Sequence, residues 1–168
     1  VDQRQRQTII GVMGASGGDA EACDEAYEVG RLIARRGAIL LCGGRTGVME
    51  AAAKGAKEEG GLTIGIMPGS NERESPPNPF IDIAIFTGMS DARNAINVRS
   101  SDAVIAVSGG FGTLSEIALA LKLGKPVVLL RSWKFEIDSP LQLTHLSVAR
   151  TPEEAVQRAL ELAESGQG

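Results

Sequence analysis

The chain has very few of the side chains that most enzymes use for chemistry. Among 168 residues there is one histidine, His145, and there are two cysteines, Cys23 and Cys42. A Ser–His–Asp triad could be assembled only around His145. No C-x-x-C or H-x-x-H spacing exists, so no protein-ligated metal is expected. Two distant thiols do not make a disulfide framework in a chain this long, which points to a reducing compartment. Aromatics are 4% of the residues, with one Trp and one Tyr, which leaves little for stacking on nucleic-acid bases. Seventeen basic side chains against 21 acidic ones give a net charge of −4, without the basic excess of a nucleic-acid binder. No apolar run approaches the ~18 residues of a membrane span. The polar stretch Val1–Gln7 shows no apolar signal core. The expectation is a cytoplasmic protein with neither nucleic-acid nor membrane partners. It should consist of a polar leader over 1–7 and a single domain over 8–168.

Glycine, by contrast, is abundant. The 21 glycines exceed the ~7% average, and many gather between short apolar runs and helical stretches. Thr8–Met13, Ala38–Cys42, Leu62–Met67, Ile81–Phe86, Ala103–Val107 and Val127–Leu130 read as strands. Helices are expected over Asp19–Arg36, Val48–Glu59, Asp91–Ser100 and Leu114–Leu123, with a last one capped by Thr151. His145–Val148 reads as an edge strand, and Arg131–Pro140 as irregular. Strands that are apolar throughout, alternating with helices, predict an α/β fold. The sheet should be doubly wound and mainly parallel, with helices on both faces.

In such sheets ligands sit beyond the carboxyl ends of the strands, where the strand order reverses. Three glycine-rich loops fall on that edge. The first holds Gly14, Ala15 and Ser16; the second holds Gly43, Gly44, Arg45, Thr46 and Gly47, with Met49 following. The third runs through Ser108, Gly109, Gly110, Phe111, Gly112 and Thr113. The G-x-x-G-x-x-G spacing of Gly11, Gly14 and Gly17 is not the dinucleotide fingerprint. The second strand also ends in Cys42-Gly43-Gly44 instead of an acidic residue, so no NAD is expected. Gly124-Lys125 is followed by Pro126, so there is no Walker loop either. What remains is a phosphate or similar anion held by backbone N–H groups at helix N-termini, although tight strand-to-helix turns would also need these glycines. Glu116 reads either as a helix-dipole glutamate or as a carboxylate facing a ribose or a water. Arg93, with Asn94, reads either as a phosphate partner or as a solvated helix residue. Cys42 and His145 read as structural. The apolar run Ile117–Leu121 suits a helix covered by the sheet on one side and by a partner subunit on the other.

Three segments together resemble a known family: Gly43-Gly44-Arg45-Thr46-Gly47-Val48-Met49-Glu50-Ala51-Ala52, Arg93-Asn94, and Gly109-Gly110-Phe111-Gly112-Thr113-Leu114-Ser115-Glu116. This is the Lonely Guy (LOG)-like Rossmann superfamily, once labelled as lysine decarboxylases. The chain is most similar to its small single-domain branch, which includes molybdenum cofactor carrier proteins. The resemblance runs from about Ile9 to Leu130, roughly three quarters of the chain. It implies one of two functions. Carriers hold molybdenum cofactor by its phosphate and oxoanion end, as homo-oligomers; a homodimer or homotetramer is the expectation here. LOG enzymes cleave the N-glycosidic bond of a nucleoside 5′-monophosphate, and in that case Glu116 and Arg93 would be catalytic. LOG enzymes have proline where this chain has Ser108, and lysine where it has Asn94; both departures favour the carrier branch. Decarboxylation is rejected, since nothing resembles a pyridoxal-phosphate lysine site.

Overall fold

The computed structural model describes residues 6–136 and 143–166. Seven strands form one sheet: β1 (Ile9–Gly14), β2 (Ile39–Cys42), β3 (Thr63–Met67), β4 (Ile83–Phe86), β5 (Ala103–Val107), β6 (Val127–Leu130) and β7 (Leu146–Ala149). Their order is β4-β3-β2-β1-β5-β6-β7, and every pairing is parallel. The helices are α1 (Ala20–Arg35), α2 (Val48–Glu58), α3 (Asn94–Ser100), α4 (Phe111–Lys122) and α5 (Pro152–Ser165). One apolar layer joins α1, α2 and α5 to the sheet through residues such as Val29, Ile33, Ala52 and Ala159. The other joins α3 and α4 through Val98, Ile117 and Ala120, with Trp133 and Phe135 packed against it. This is a Rossmann-like, doubly wound α/β domain. The chain winds outward from β1 to β4 and then restarts at β5 on the other side of β1. The strand order therefore reverses between β1 and β5, which opens a crevice at their carboxyl ends.

Several boundaries differ from the sequence reading, each for a local reason. The helix expected over 91–100 is two pieces, a 3-10 turn at Ser90–Arg93 followed by α3; the tighter turn delivers Arg93 to the interior. The fourth strand starts at Ile83, because Asp82 turns its carboxylate back onto the Thr63 amide at 3.0 Å. Helix α4 starts at Phe111 instead of Leu114, so Phe111, Gly112 and Thr113 are already helical backbone. Residues 131–136 form no regular element, and the rest of the segment expected to be irregular lies outside the described residues, as does most of the leader.

Helices α1 and α2 pack so closely that two glycines have no alternative. A Cβ on Gly30 would stand 1.9 Å from the Ala52 carbonyl oxygen, and one on Gly55 would stand 2.0 Å from that of Tyr27. Because backbone cannot yield as a flexible side chain does, Gly30→Ala should lower the unfolding free energy by about 2–3 kcal/mol in urea titration. Gly17→Ala, whose new methyl meets open space, should change it by less than about 0.5 kcal/mol.

Candidate functional site

The loop after β1 and the loop after β2 are locked together. The Val48 amide donates to the Ala15 carbonyl at 3.1 Å, and the Thr46 hydroxyl donates to that of Ser16 at 2.9 Å. Gly14 lets them close, since a Cβ there would be 2.2 Å from Val48 and 2.8 Å from the Val107 carbonyl oxygen. Gly47 combines a φ of +68° with backbone of the first loop 2.6 Å from where a Cβ would be. The Gly44 amide donates to the Cys42 sulfur at 3.3 Å. Burial pushes the Cys42 thiol up to about 11, so it stays protonated and inert near neutral pH.

The loop after β5 is built differently. Ser108, at φ +51°, donates its amide to the Leu130 carbonyl and accepts from the Ser132 hydroxyl at 2.6 Å. Gly110 then caps α4 without any side-chain hydrogen bond. The first helical bond runs from the Leu114 amide to the Gly110 carbonyl at 3.0 Å. The amides of Phe111, Gly112 and Thr113 precede it, and Gly110 and Gly112 face open space. By contrast, α1 and α5 are capped by the side chains of Asp19 and Thr151. The end of α4 therefore keeps its donors and its positive dipole for something else.

Arg93 and Glu116 meet beside this helix end. Both are buried, at 8% and 6% exposure. Their nearest charged atoms, Arg93 Nη1 and Glu116 Oε1, are 3.8 Å apart. Gly43 makes room for the guanidinium: a Cβ there would come within 2.7 Å of Nη1. Nη1 donates to Asn94 Oδ1 at 2.9 Å, and Asn94 donates to the Ser115 hydroxyl at 3.1 Å. Asn97 Nδ2 donates to Glu116 Oε1 at 2.8 Å. Burial raises the Glu116 carboxyl to about 7, outweighing the opposing pull of Asn97 and of the Arg93 charge. Burial likewise pulls Arg93 below its usual value, against the opposing charge of Glu116. Neither group is saturated by the other. Arg93 Nε and Asn97 Oδ1 are buried without a hydrogen-bond partner among the described residues.

These elements enclose a cleft of about 270 Å³. Of the residues singled out in the sequence, Gly14, Ala15, Ser16, Gly43, Arg45, Met49, Arg93, Asn94, Gly110, Gly112, Thr113 and Glu116 line it. Gly44, Thr46, Gly47, Ser108 and Gly109 are outside the lining and shape the loops behind it. Phe111 is also outside, 83% exposed, with its ring centroid 6.0 Å from that of Trp133. Val12, Met13 and Asp91 line the cleft too, although the sequence reading did not select them. Nor did it select Asn97, fully buried and bonded to Glu116. Its position four residues after Arg93, one helical turn on, was the available signal. With Arg45, Arg93, the first turn of α4 and the Asp91 and Glu116 carboxyls all in its lining, the cleft suits an anion attached to hydrogen-bond donors. Among the described residues, no three His, Cys, Asp or Glu side chains gather as metal ligands, and no helix is long and apolar enough to cross a membrane.

Comparison with known proteins agrees with this architecture. Residues 7–157 match the model of the SLOG cluster4 family. The molybdenum cofactor binding protein of the phototrophic bacterium Rippkaea orientalis superposes with a TM-score of 0.85 at 46% identity, covering 97% of this chain and 99% of that one. The molybdenum cofactor carrier protein of Chlamydomonas reinhardtii gives 0.82 at 40% identity, over 94% and 99%. A cytokinin riboside 5′-monophosphate phosphoribohydrolase of Mycobacterium tuberculosis is 35% identical over 133 residues, which is 75% of this chain and 71% of that protein.

The raised Glu116 carboxyl links stability to pH. Its ordinary value is 4.5 and its folded value about 7, so the folded state holds the proton more tightly. That contribution is complete below pH 4.5 and is lost as the pH climbs through 7. Glu116→Gln should therefore gain stability relative to the parent between pH 4.5 and 8, by on the order of 3 kcal/mol in denaturant titrations. Parallel pH profiles for the two proteins would mean that Glu116 titrates as a solvated carboxylate.

Proposed function

The chain belongs to the SLOG cluster4 family, and from that premise we propose that it binds and carries molybdenum cofactor as cargo. The observation that carries the reading is the uncapped start of α4, where the amides of Phe111, Gly112 and Thr113 have no acceptor among the described residues, in the same cleft as Arg93 at the point of strand-order reversal. The phosphate of the cargo lies against the amides of Phe111, Gly112 and Thr113, where charge-assisted hydrogen bonds and the helix dipole favour it. Arg93 and Arg45 supply positive charge, and molybdenum remains a constituent of the cargo, with no ligand from this chain. Near-complete alignment with two proteins that bind or carry this cofactor supports the choice. So does the commitment of Asn94, which stands where LOG enzymes have lysine, to Arg93 and Ser115.

A second reading rests on one observation: Arg93 and Glu116 share the cleft, and a carboxyl raised to about 7 is suited to proton transfer near neutral pH. In a nucleoside 5′-monophosphate phosphoribohydrolase, Glu116 would stabilise the developing ribosyl cation or position water, and Arg93 would orient the substrate.

Titration of the purified protein with free molybdenum cofactor should show saturable binding, and incubation with AMP should release no adenine. Gly112→Asp should weaken cofactor binding at least about tenfold without loss of stability, because the new carboxylate competes for the same amides. Adenine release that disappears in Glu116→Ala would replace carriage with hydrolysis; absence of both activities would remove both readings. The carrier is further proposed to act as a homodimer or homotetramer. Apolar Ile83 and Ile85 on β4 and Val148 on β7 remain exposed at the two edges of the sheet. Light scattering at micromolar concentration should give two or four times the 17.6 kDa chain mass; a monomer would refute this.

A further inference from the structure

Next to the anion cleft lies a larger cavity of about 660 Å³. It is walled by the first turn of α2 on one side and by the strap from Pro68 to Pro79 on the other, and Arg45 lines both spaces. The strap is held in place by Asn78. Its amide donates to the Gly44 carbonyl at 2.9 Å, and its side chain donates to the Arg45 carbonyl at 2.8 Å. The far end is tied as well, with the Ser90 amide on the Pro68 carbonyl at 3.0 Å and the Gly88 amide on that of Gly69 at 2.9 Å. The chamber is therefore preformed, and Arg45 stands at its boundary with the cleft.

Its chemistry differs from that of the cleft. Pro68, Pro76, Pro77 and Pro79 give rigid apolar walls without amide donors of their own. Two carboxyl groups face it. Glu74 is already engaged, accepting from the Ser70 amide at 2.9 Å and from Asn71 at 3.1 Å. Glu50, the third residue of α2, has no hydrogen-bond or ion-pair partner among the described residues. A preformed, open-sided hollow with four prolines among its polar lining residues, an arginine at its boundary with the cleft and a carboxylate without a partner among the described residues fits a flat heterocycle with adjacent N–H donors on one edge.

We propose that this chamber is the ring subsite of the anion cleft, and that Glu50 accepts the cyclic-guanidine edge of a pterin or guanine ring. The inference rests on the reading that the cleft takes the phosphate end of the same molecule. A pterin or guanine presents a ring N–H beside an exocyclic NH2, and two parallel hydrogen bonds to one carboxylate satisfy both. Adenine offers a ring nitrogen lone pair beside its amino group, so the same carboxylate meets one donor and one repulsive lone pair. The Arg45 guanidinium is placed to lie against the ring at the junction. Selection is thus made at the end of the ligand remote from the phosphate: the cleft grips any phosphorylated guest and the chamber chooses among rings.

Calorimetric titration of the full chain with GMP, AMP and inorganic phosphate tests this. GMP should bind about tenfold more tightly than AMP, as a bidentate pair to the correct base edge warrants. Glu50→Gln should reduce GMP to the level of AMP and leave inorganic phosphate affinity and the thermal midpoint unchanged. Phosphate binding with equal affinities for GMP and AMP would overturn the ring subsite alone. Equal losses of GMP, AMP and phosphate in Glu50→Gln would overturn it too, because Glu50 would then be shaping the cleft. If none of the three probes binds the parent protein, the anion cleft fails and the subsite fails with it.

Discussion

Burying Arg93 is the constraint from which the rest of the site follows, because a guanidinium taken out of water must be met on every side by something that tolerates it. Against it lies Gly43, where any Cβ would come within 2.7 Å of Nη1. Beside it stands Asn94, and 3.8 Å away Glu116, itself fixed by Asn97. Three loops and two helices are thereby drawn to one point on the carboxyl edge of the sheet. The pair does not neutralise itself completely. Desolvation moves each group toward its uncharged form more strongly than its partner restores it. A buried pair in this condition gains from a guest that brings both negative charge and hydrogen-bond donors, and the cleft is shaped to admit one.

Much of the fold was legible because strand and helix alternate with such regularity. Runs such as Ala38–Cys42 and Ala103–Val107 have no polar residue that would leave one face of a strand in water, and both strands prove to be central. The doubly wound sheet and the carboxyl-edge loops follow from that pattern, while the resemblance to the LOG-like superfamily rests on the motifs Gly43–Ala52, Arg93-Asn94 and Gly109–Glu116. Within the loops, spacing could not separate two different reasons for glycine. Gly44, Gly47 and Gly109 serve left-handed backbone and lie behind the site. Gly110 and Gly112 leave space in front of it. The same ambiguity hid the start of α4, since glycines that discourage a helix in isolation are tolerated where its first turn faces a cavity. Asn97 and the Pro68–Pro79 strap were missed because their importance comes from partners distant in sequence. Asn97 acts through Glu116, and Asn78 acts through Gly44 and Arg45.

The helix ends divide the molecule into a stabilised part and a receptive part. Helices α1 and α5 each have a polar side chain folded back on the first turn. Such caps contribute about 1 kcal/mol each. Helices α2 and α4 start at the cleft and have glycine at the cap position, with no side-chain bond. On α2 the first amide is consumed by the Ala15 carbonyl, which holds two loops together. On α4 the first three amides are left over. A guest bound at the start of α4 would restore the stability given up there, and occupancy of the cleft would then stabilise that edge.

This arrangement also bears on the choice between the two proposed readings, carriage and hydrolysis. Catalysis requires interactions that strengthen as charge develops. The main donors here are backbone amides fixed to a helix end, aimed at a group whose charge stays the same during N-glycosidic cleavage. They bind ground state and transition state alike. Of the two carboxyls in the cleft, the buried one beside Arg93 is Glu116. Its carboxyl is held by Asn97 and pushed by burial toward the protonated form, which weakens the negative charge a developing ribosyl cation would need. Under the proposed carrier function, binding energy would thus be concentrated on uniform grip.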